Sequence, residues 1–370
     1  MEASRLKGIT ASTIRRMFEI VEKAKRDGKD IVSLTIGEPD FDTPQEILER
    51  AFKAMKMGYT HYTSNYGIPE LRELIAEKYK VDPSWVMITN GASEALLNAS
   101  LAFIEDGSKV VVPSPSFLSY FTYAKLCKAH IKEVKTHEDK FLLTAEKLNE
   151  AMEKDVSVVF VNYPNNPTGA VMEQKELNAL TEVVEKAILI SDEVYDSIFY
   201  DKKPGTLAGK ENVVVVNSFS KSLSMTGWRI GYVIAEPNLL NSMLKIHQVN
   251  GVCAPAFAQK AVADVLSEKI YDKLVFKMVA EFRKKRDYVY SELSEFCISK
   301  PEGAFYLFYR TGEDCVSYAE KLLNYGVAVT PGKSFGSWNE EFVRISYATS
   351  MENLKKAVER IKAYHEDRRN

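Results

Sequence analysis

The chain has 370 residues, 45% of them apolar and 27% charged, and 49 Lys and Arg set against 51 Asp and Glu leave a formal charge of −2. That composition excludes an intrinsically disordered chain, and its near-neutral balance supplies no field for holding a polyanion. No apolar run approaches the roughly 20 residues that span a bilayer, and the polar, basic stretch from Met1 to Met17 lacks the apolar segment of a secretory signal. The expectation is a cytoplasmic protein with no membrane or nucleic-acid partner.

In chain order, the stretch around Thr13 to Arg26 reads as a helix, and Pro44 to Met57 as a second one with Pro in its first turn and Gly58 just past its end. From Thr43 to Arg229, short β-branched runs alternate with helical stretches such as Glu173 to Glu185, the pattern of βαβ units. The strand candidates are Val86 to Thr89, Val110 to Pro113, Ile131 to Val134, Val156 to Val161, Ile188 to Ser191, Val213 to Asn217 and Trp228 to Ile234. Several are apolar on both faces, as a parallel sheet covered on both sides requires. After about Asn250 the rhythm changes to the helices Ala256 to Leu266 and Lys269 to Phe296, short strands near Phe305 to Tyr309 and Phe342 to Ser346, and a last helix from Met351 to about Tyr364. The predicted class is α/β: a mostly parallel seven-stranded sheet flanked by helices in a large domain spanning 36–255, with 1–35 and 256–370 forming a smaller α+β domain. The basic cluster from Arg283 to Arg286 reads as a solvated helix face. Cys127, Cys253, Cys297 and Cys315 are far apart, as buried small hydrophobes in a reducing compartment would be, and the five histidines form no pair at ligand spacing, so no metal site is expected.

In a parallel sheet the chemistry gathers outside the carboxyl ends of the strands. Lys221, in Ser218-Phe219-Ser220-Lys221 directly after a strand, is there a candidate Schiff-base nucleophile, unless it is one more surface lysine. Asp192 ends another apolar strand, where a carboxylate needs a partner: a protonated pyridine nitrogen, or the N–H groups of a helix that it caps. Arg229, read as beginning a strand, could cradle a phosphate with Ser218 and the backbone donors of Gly91, Ala92 and Ser93 at a helix start, although small residues there also simply cap. Two other motifs fail on inspection. Ser218 to Lys221 matches S-x-x-K, but neither S-D-N nor K-T-G occurs, and Gly326 to Ser334 has one residue too many for a P-loop.

Seven blocks, in order along nearly the whole chain, carry a family resemblance: Gly37 to Pro44, His61 to Gly67, Asn90 to Ser93, Asn165 to Gly169, Ser191 to Tyr195, Ser218 to Gly231, and Arg344 to Tyr347. The chain resembles the fold-type I pyridoxal-phosphate aminotransferases, specifically the class I branch with prokaryotic and archaeal aspartate and aromatic aminotransferases. The resemblance implies pyridoxal 5'-phosphate bound to Lys221 as a Schiff base, Asp192 on the pyridine nitrogen, Tyr195 and Asn166 on the phenolic oxygen, and Phe117 stacked on the ring. It implies a phosphate held by Gly91, Ala92, Ser93, Ser218 and Arg229 and by Tyr62 from a second subunit, hence a homodimer. Arg344 would clamp the substrate α-carboxylate, with the Gly37 backbone and Asn166 nearby. The implied reaction is ping-pong transfer of an amino group from an aromatic amino acid or aspartate to an oxo acid such as 2-oxoglutarate; a carbon–sulfur β-lyase or cyclopropane-forming synthase of the same fold is the alternative. Aspartate-specific members often carry Lys where this chain has Ser93. Arg15 or Arg16 could replace that charge, or lie on an exposed helix face, and Tyr66, Phe117 and Phe335 could line an apolar pocket or simply be core.

Overall fold

The computed structural model describes residues 2–9, 17, 19, 21–23 and 26–369. The helix expected around 13–26 lies largely outside them, as do Arg15 and Arg16. Strand β1 (Val32–Ser33) comes first. The central sheet follows: β2 (Val86–Thr89), β3 (Lys109–Ser114), β4 (His130–Lys135), β5 (Val156–Asn162), β6 (Ile188–Asp192), β7 (Val213–Ser218) and β8 (Gly231–Ile234). Their order is β2-β8-β7-β6-β5-β3-β4, with β8 antiparallel to β2 and β7 and the other neighbours parallel.

The period of two along each strand decides which residue faces which layer. Val213 and Val215 join a buried cluster under the helices Gln45–Lys56, Pro69–Tyr79 and Ala256–Ser267, whereas Val214 and Val216 face the helices Ala92–Phe103 and Pro237–Asn250. All four are at most 3% exposed, and each buried valine contributes roughly 1.5–3 kcal/mol. The polar strand ends, Asn162, Asp192 and Ser218, therefore emerge together at one edge of an apolar slab.

A second sheet has the order β11-β12-β9. It is built from β9 (Tyr306–Arg310), β11 (Thr330–Pro331) and β12 (Phe342–Ser346), while the short β10 (Val327–Ala328) pairs in parallel with β1. No helix among the described residues is long and apolar enough to cross a membrane. Cys315 is buried, the other three cysteines are half-buried, and all four are free.

Two expectations are corrected. The strand predicted from Trp228 starts at Gly231. Thr226–Trp228 is a single 3-10 turn and Arg229 has a left-handed backbone (φ 58°), which turns its side chain back over the preceding loop instead of into a ladder. Nor is the cluster from Arg283 to Arg286 a solvated face throughout: Lys284 is exposed and Arg283 half-exposed, but Lys285 and Arg286 are 6% and 1% exposed. Lys285 Nζ lies 2.6 Å from Asp40 Oδ2, and Arg286 donates to Asp201 (3.0 Å) and to the Pro301 carbonyl (2.7 Å). Their carboxylate partners come from distant segments that a local charge pattern cannot see.

Candidate active site

A cavity of about 390 Å³ opens where β5, β6 and β7 end, with Arg344 of β12 closing its far side. All the predicted site residues line it except Gly91 and Tyr62. Lys221 belongs to the short helix Phe219–Ser222 that continues β7, and its Nζ donates to the Gly37 carbonyl at 2.6 Å. Burial lowers its pKa to about 8; the Arg344 and Arg229 charges push the same way, and Glu38 and Asp192 oppose them. A partly buried amine whose pKa is lowered to about 8 gives up its proton more readily than an ordinary lysine and is a competent nucleophile.

Asp192 is 4% exposed and accepts from the Tyr120 hydroxyl (2.6 Å) and the Val194 N–H (3.3 Å). Burial raises its pKa to about 6, against the lowering pull of those two donors and Lys221. It caps no helix, since a turn follows it, and among the described residues no cation lies within ion-pair distance. A buried carboxylate so placed is a site for a cationic N–H donor. Tyr195 shares a hydrogen bond with Tyr306 (2.7 Å), and burial, with that neighbour, keeps its hydroxyl protonated far above the usual range.

Next to Asp192 the chain points Glu193 the other way. It accepts from Thr206 Oγ1 (2.7 Å), Ser191 Oγ (2.9 Å) and the Leu207 N–H (3.0 Å), and burial raises its pKa to about 7. Between the ordinary carboxylate value and 7 the native state holds a proton that the unfolded chain has lost, so stability falls as pH rises through that window, by roughly 3 kcal/mol. Glu193→Gln is expected to abolish this decline. Chemical denaturation of both proteins from pH 4 to pH 8 checks it, and parallel curves would remove the assignment.

An anion cup lies at the other end. The helix Ala92–Phe103 begins at Gly91, which has no side chain to cap the first-turn N–H groups, and Ala92 and Ser93 line the cavity. Gly91 is required there: its φ is +79°, and any Cβ would run into the Arg229 guanidinium. Among the described residues Arg229 donates to the carbonyls of Thr226 (2.8 Å) and Asn90 (3.2 Å) and to no carboxylate, so its charge stays available to an anion. Ser218 Oγ bonds Ser220 Oγ (2.7 Å) and accepts from the Ser220 N–H (3.0 Å).

Arg344 is 1% exposed, donates to Asn166 Oδ1 (3.0 Å) and the Thr35 carbonyl, and leaves its Nε without a partner. No carboxylate among the described residues pairs with it, and the Tyr306 and Phe335 rings lie 4.6 and 5.0 Å from its guanidinium. Such a cation is poised for a carboxylate from outside. Phe117 lines the cavity, Phe335 is core, and Tyr66 bonds Asn241 away from it. Tyr62 is 85% exposed and stands clear of its own chain's cavity. Sequence reasoning assigned no role to Tyr120, Tyr306 or Asn162. Asn162 was legible as a strand end, whereas nothing in the local pattern of its helix singles out Tyr120.

A mostly parallel α/β sheet with a lysine, an aspartate and an arginine meeting at its strand ends defines a class of enzyme, and the comparisons say which. Residues 29–361 match the family described as aminotransferase class I and II, and the chain belongs to that family. It is 40% identical to a probable aspartate aminotransferase of Methanocaldococcus jannaschii, over 99% of this chain and 100% of that protein. It is 36% identical to aromatic-amino-acid aminotransferase 2 of Thermococcus litoralis, over 97% of each. Among solved structures, aspartate aminotransferase from Thermus thermophilus with maleate superposes with a TM-score of 0.93 at 34% identity, over 98% of each chain. Amino-group transfer is the chemistry of this enzyme, and relatives named as transferases favour it over β-elimination or ring closure.

Proposed function

We propose that the cavity holds pyridoxal 5'-phosphate, and that the enzyme uses it to move the amino group of aspartate or an aromatic L-amino acid to a 2-oxo acid such as 2-oxoglutarate. The observation that carries this is the convergence of a neutralisable amine, a buried carboxylate lacking a contacting cation and a guanidinium with an orphan Nε on one cavity. The donor set fits the group, because an uncapped helix start and a free guanidinium stand at the end opposite Arg344. When bound, the cofactor supplies a protonated heteroaromatic ring that takes up the electron pair left when the substrate Cα–H bond breaks.

Lys221 would tether the cofactor at rest and, once the substrate amine displaces it, carry the Cα proton. Asp192 would hold a proton on the ring nitrogen, Tyr195 and Asn166 would bond the phenolic oxygen, and Phe117 would cover one face. Gly91, Ala92, Ser93, Ser218 and Arg229 would bind the phosphate, joined by Tyr62 from a second copy of the chain. Arg344, with Asn166 and the Gly37 backbone beside it, would orient the substrate carboxylate. A homodimer is supported by the apolar surface around Tyr62, where Met57, Val249 and Val252 are exposed and Asn65 Nδ2 ties the two loops together at the Val252 carbonyl (2.7 Å). The grouping of 1–35 with the C-terminal segment draws support from the β1–β10 pairing, whereas the helix Ala256–Ser267 packs on the central sheet and so belongs with the large domain instead of starting the small one, and four free thiols suit a cytoplasmic, reducing setting.

The protein mixed with pyridoxal phosphate is expected to turn yellow, to be trapped by borohydride on the Lys221 peptide, and to form oxo acid in stoichiometry with glutamate when given 2-oxoglutarate. Pyruvate and ammonia released without an acceptor would sink the reading. Asp192→Asn is expected to slow turnover by about 10²- to 10⁴-fold while cofactor still binds, because the ring nitrogen loses its anionic partner; turnover within a few-fold of wild type would remove that role.

A further inference from the structure

The anion cup is held from behind by a polar cluster, buried at His247 and Asn98 and half-buried at Asn90 and Glu94, that the catalytic reading does not use. Glu94, in the first turn of the helix Ala92–Phe103, accepts from the Asn90 backbone N–H (2.5 Å) and side chain (3.1 Å) through one oxygen. Its other oxygen faces His247 Nδ1 (2.5 Å) and accepts from Asn98 Nδ2 (3.1 Å). His247 and Asn98 are wholly buried, and Asn250 Nδ2 closes the ring on Asn98 Oδ1 (2.6 Å), joining this helix to Pro237–Asn250. His247 Nε2 is buried with no partner, so the contact of Nδ1 with Glu94 is the ring's polar anchor, and a proton on Nδ1 donates to that carboxylate. The fit is tight, since a Cβ on Gly251 would lie 2.6 Å from Asn90 Nδ2 and 2.7 Å from Glu94 Oε1.

The cluster converges on one residue of the cup. With its N–H and side chain both bound to Glu94, Asn90 has little freedom, and its carbonyl is the acceptor for Arg229 Nη2 (3.2 Å). Arg229 has a left-handed backbone, an unfavourable conformation for a non-glycine residue, and its side chain depends on the Asn90 and Thr226 carbonyls for its direction. We infer that Glu94, oriented by His247 and Asn98, is a positioning residue that fixes Asn90 and thereby aims Arg229 at the phosphate of the cofactor. The inference rests on the proposed cofactor.

The test measures equilibrium binding of pyridoxal phosphate and of pyridoxal, which lacks the phosphate, to the cofactor-free protein by absorbance. In Glu94→Ala the preference for the phosphorylated compound is expected to fall by about tenfold or more, the scale of one weakened charge-assisted contact, with pyridoxal affinity unchanged. Glu94→Gln keeps an acceptor for Asn90 and is expected to restore most of the preference. Gly251→Ala presses a methyl group on Asn90 and Glu94 from outside the core and is expected to lower it about threefold, which keeps the test readable should Glu94→Ala fold poorly. A general loss of structure would weaken both compounds alike. A phosphate preference within about twofold of wild type in the folded variants overturns the positioning role, whereas wild-type protein that binds neither compound overturns the cofactor reading instead.

Discussion

Lys221→Ala is expected to lose transamination by about four orders of magnitude or more, because one amine would serve as both tether and proton carrier. No neighbour can take over. Among the described cavity-lining residues there is no other primary amine and no imidazole; Tyr195 is held protonated, and Asp192 is bound to Tyr120 on the cavity wall. Cofactor binding should survive, since Gly91 to Ser93, Arg229 and Asp192 lie on other elements and Ser218 precedes the helix that carries Lys221. Turnover, borohydride trapping and peptide mass check this, and activity within about tenfold of wild type would end the assignment. The same substitution has a stability signature. With the Lys221 pKa lowered to about 8, the unfolded chain binds a proton that the native protein lacks between pH 8 and the usual lysine range. The stability of cofactor-free wild type should therefore climb with pH across that window relative to Lys221→Ala.

The legible parts of the site are those coded by adjacency. Lys221 and Asp192 follow runs such as Val213 to Val216 whose burial on both faces makes them strands, so their place at a sheet edge follows from period and length alone. What adjacency cannot carry is the direction of a turn or a partner far along the chain. Arg229 was readable as a phosphate ligand but not as left-handed, because its conformation answers to Gly91, 138 positions earlier, across whose missing side chain its guanidinium lies. Lys285 and Arg286 sit in a run that any charge count places in solvent, yet Asp40 and Asp201 draw them inside. Tyr120 bonds Asp192 from a helix whose sequence shows only an ordinary apolar pattern. The hydroxyl that tunes the carboxylate is visible only once β3 and β6 lie in one sheet.

Arg344 is the residue whose alteration should most change substrate affinity. In the free enzyme its charge is buried with hydrogen bonds from two nitrogens and an unsatisfied Nε, and burial lowers its pKa. That desolvation is offset only when a carboxylate completes the shell, so the stabilisation appears on binding and not on folding. Arg344→Lys keeps the charge but replaces the planar fork by a single point donor, which cannot hold Asn166, the Thr35 carbonyl and both carboxylate oxygens together. KM for amino and oxo acids alike is expected to rise by about 10²- to 10³-fold, equivalent to roughly 3–4 kcal/mol, with a smaller fall in kcat. Arg344→Ala should do the same with an added loss of stability from the cavity it leaves between the Tyr306 and Phe335 rings. Because Arg344 lies opposite the anion cup, affinity for pyridoxal phosphate should hold in Arg344→Lys. Steady-state kinetics with several substrates, beside a cofactor titration, separates the two ends of the cavity. Unaltered affinity for every carboxylate tested would show that the α-carboxylate is bound elsewhere.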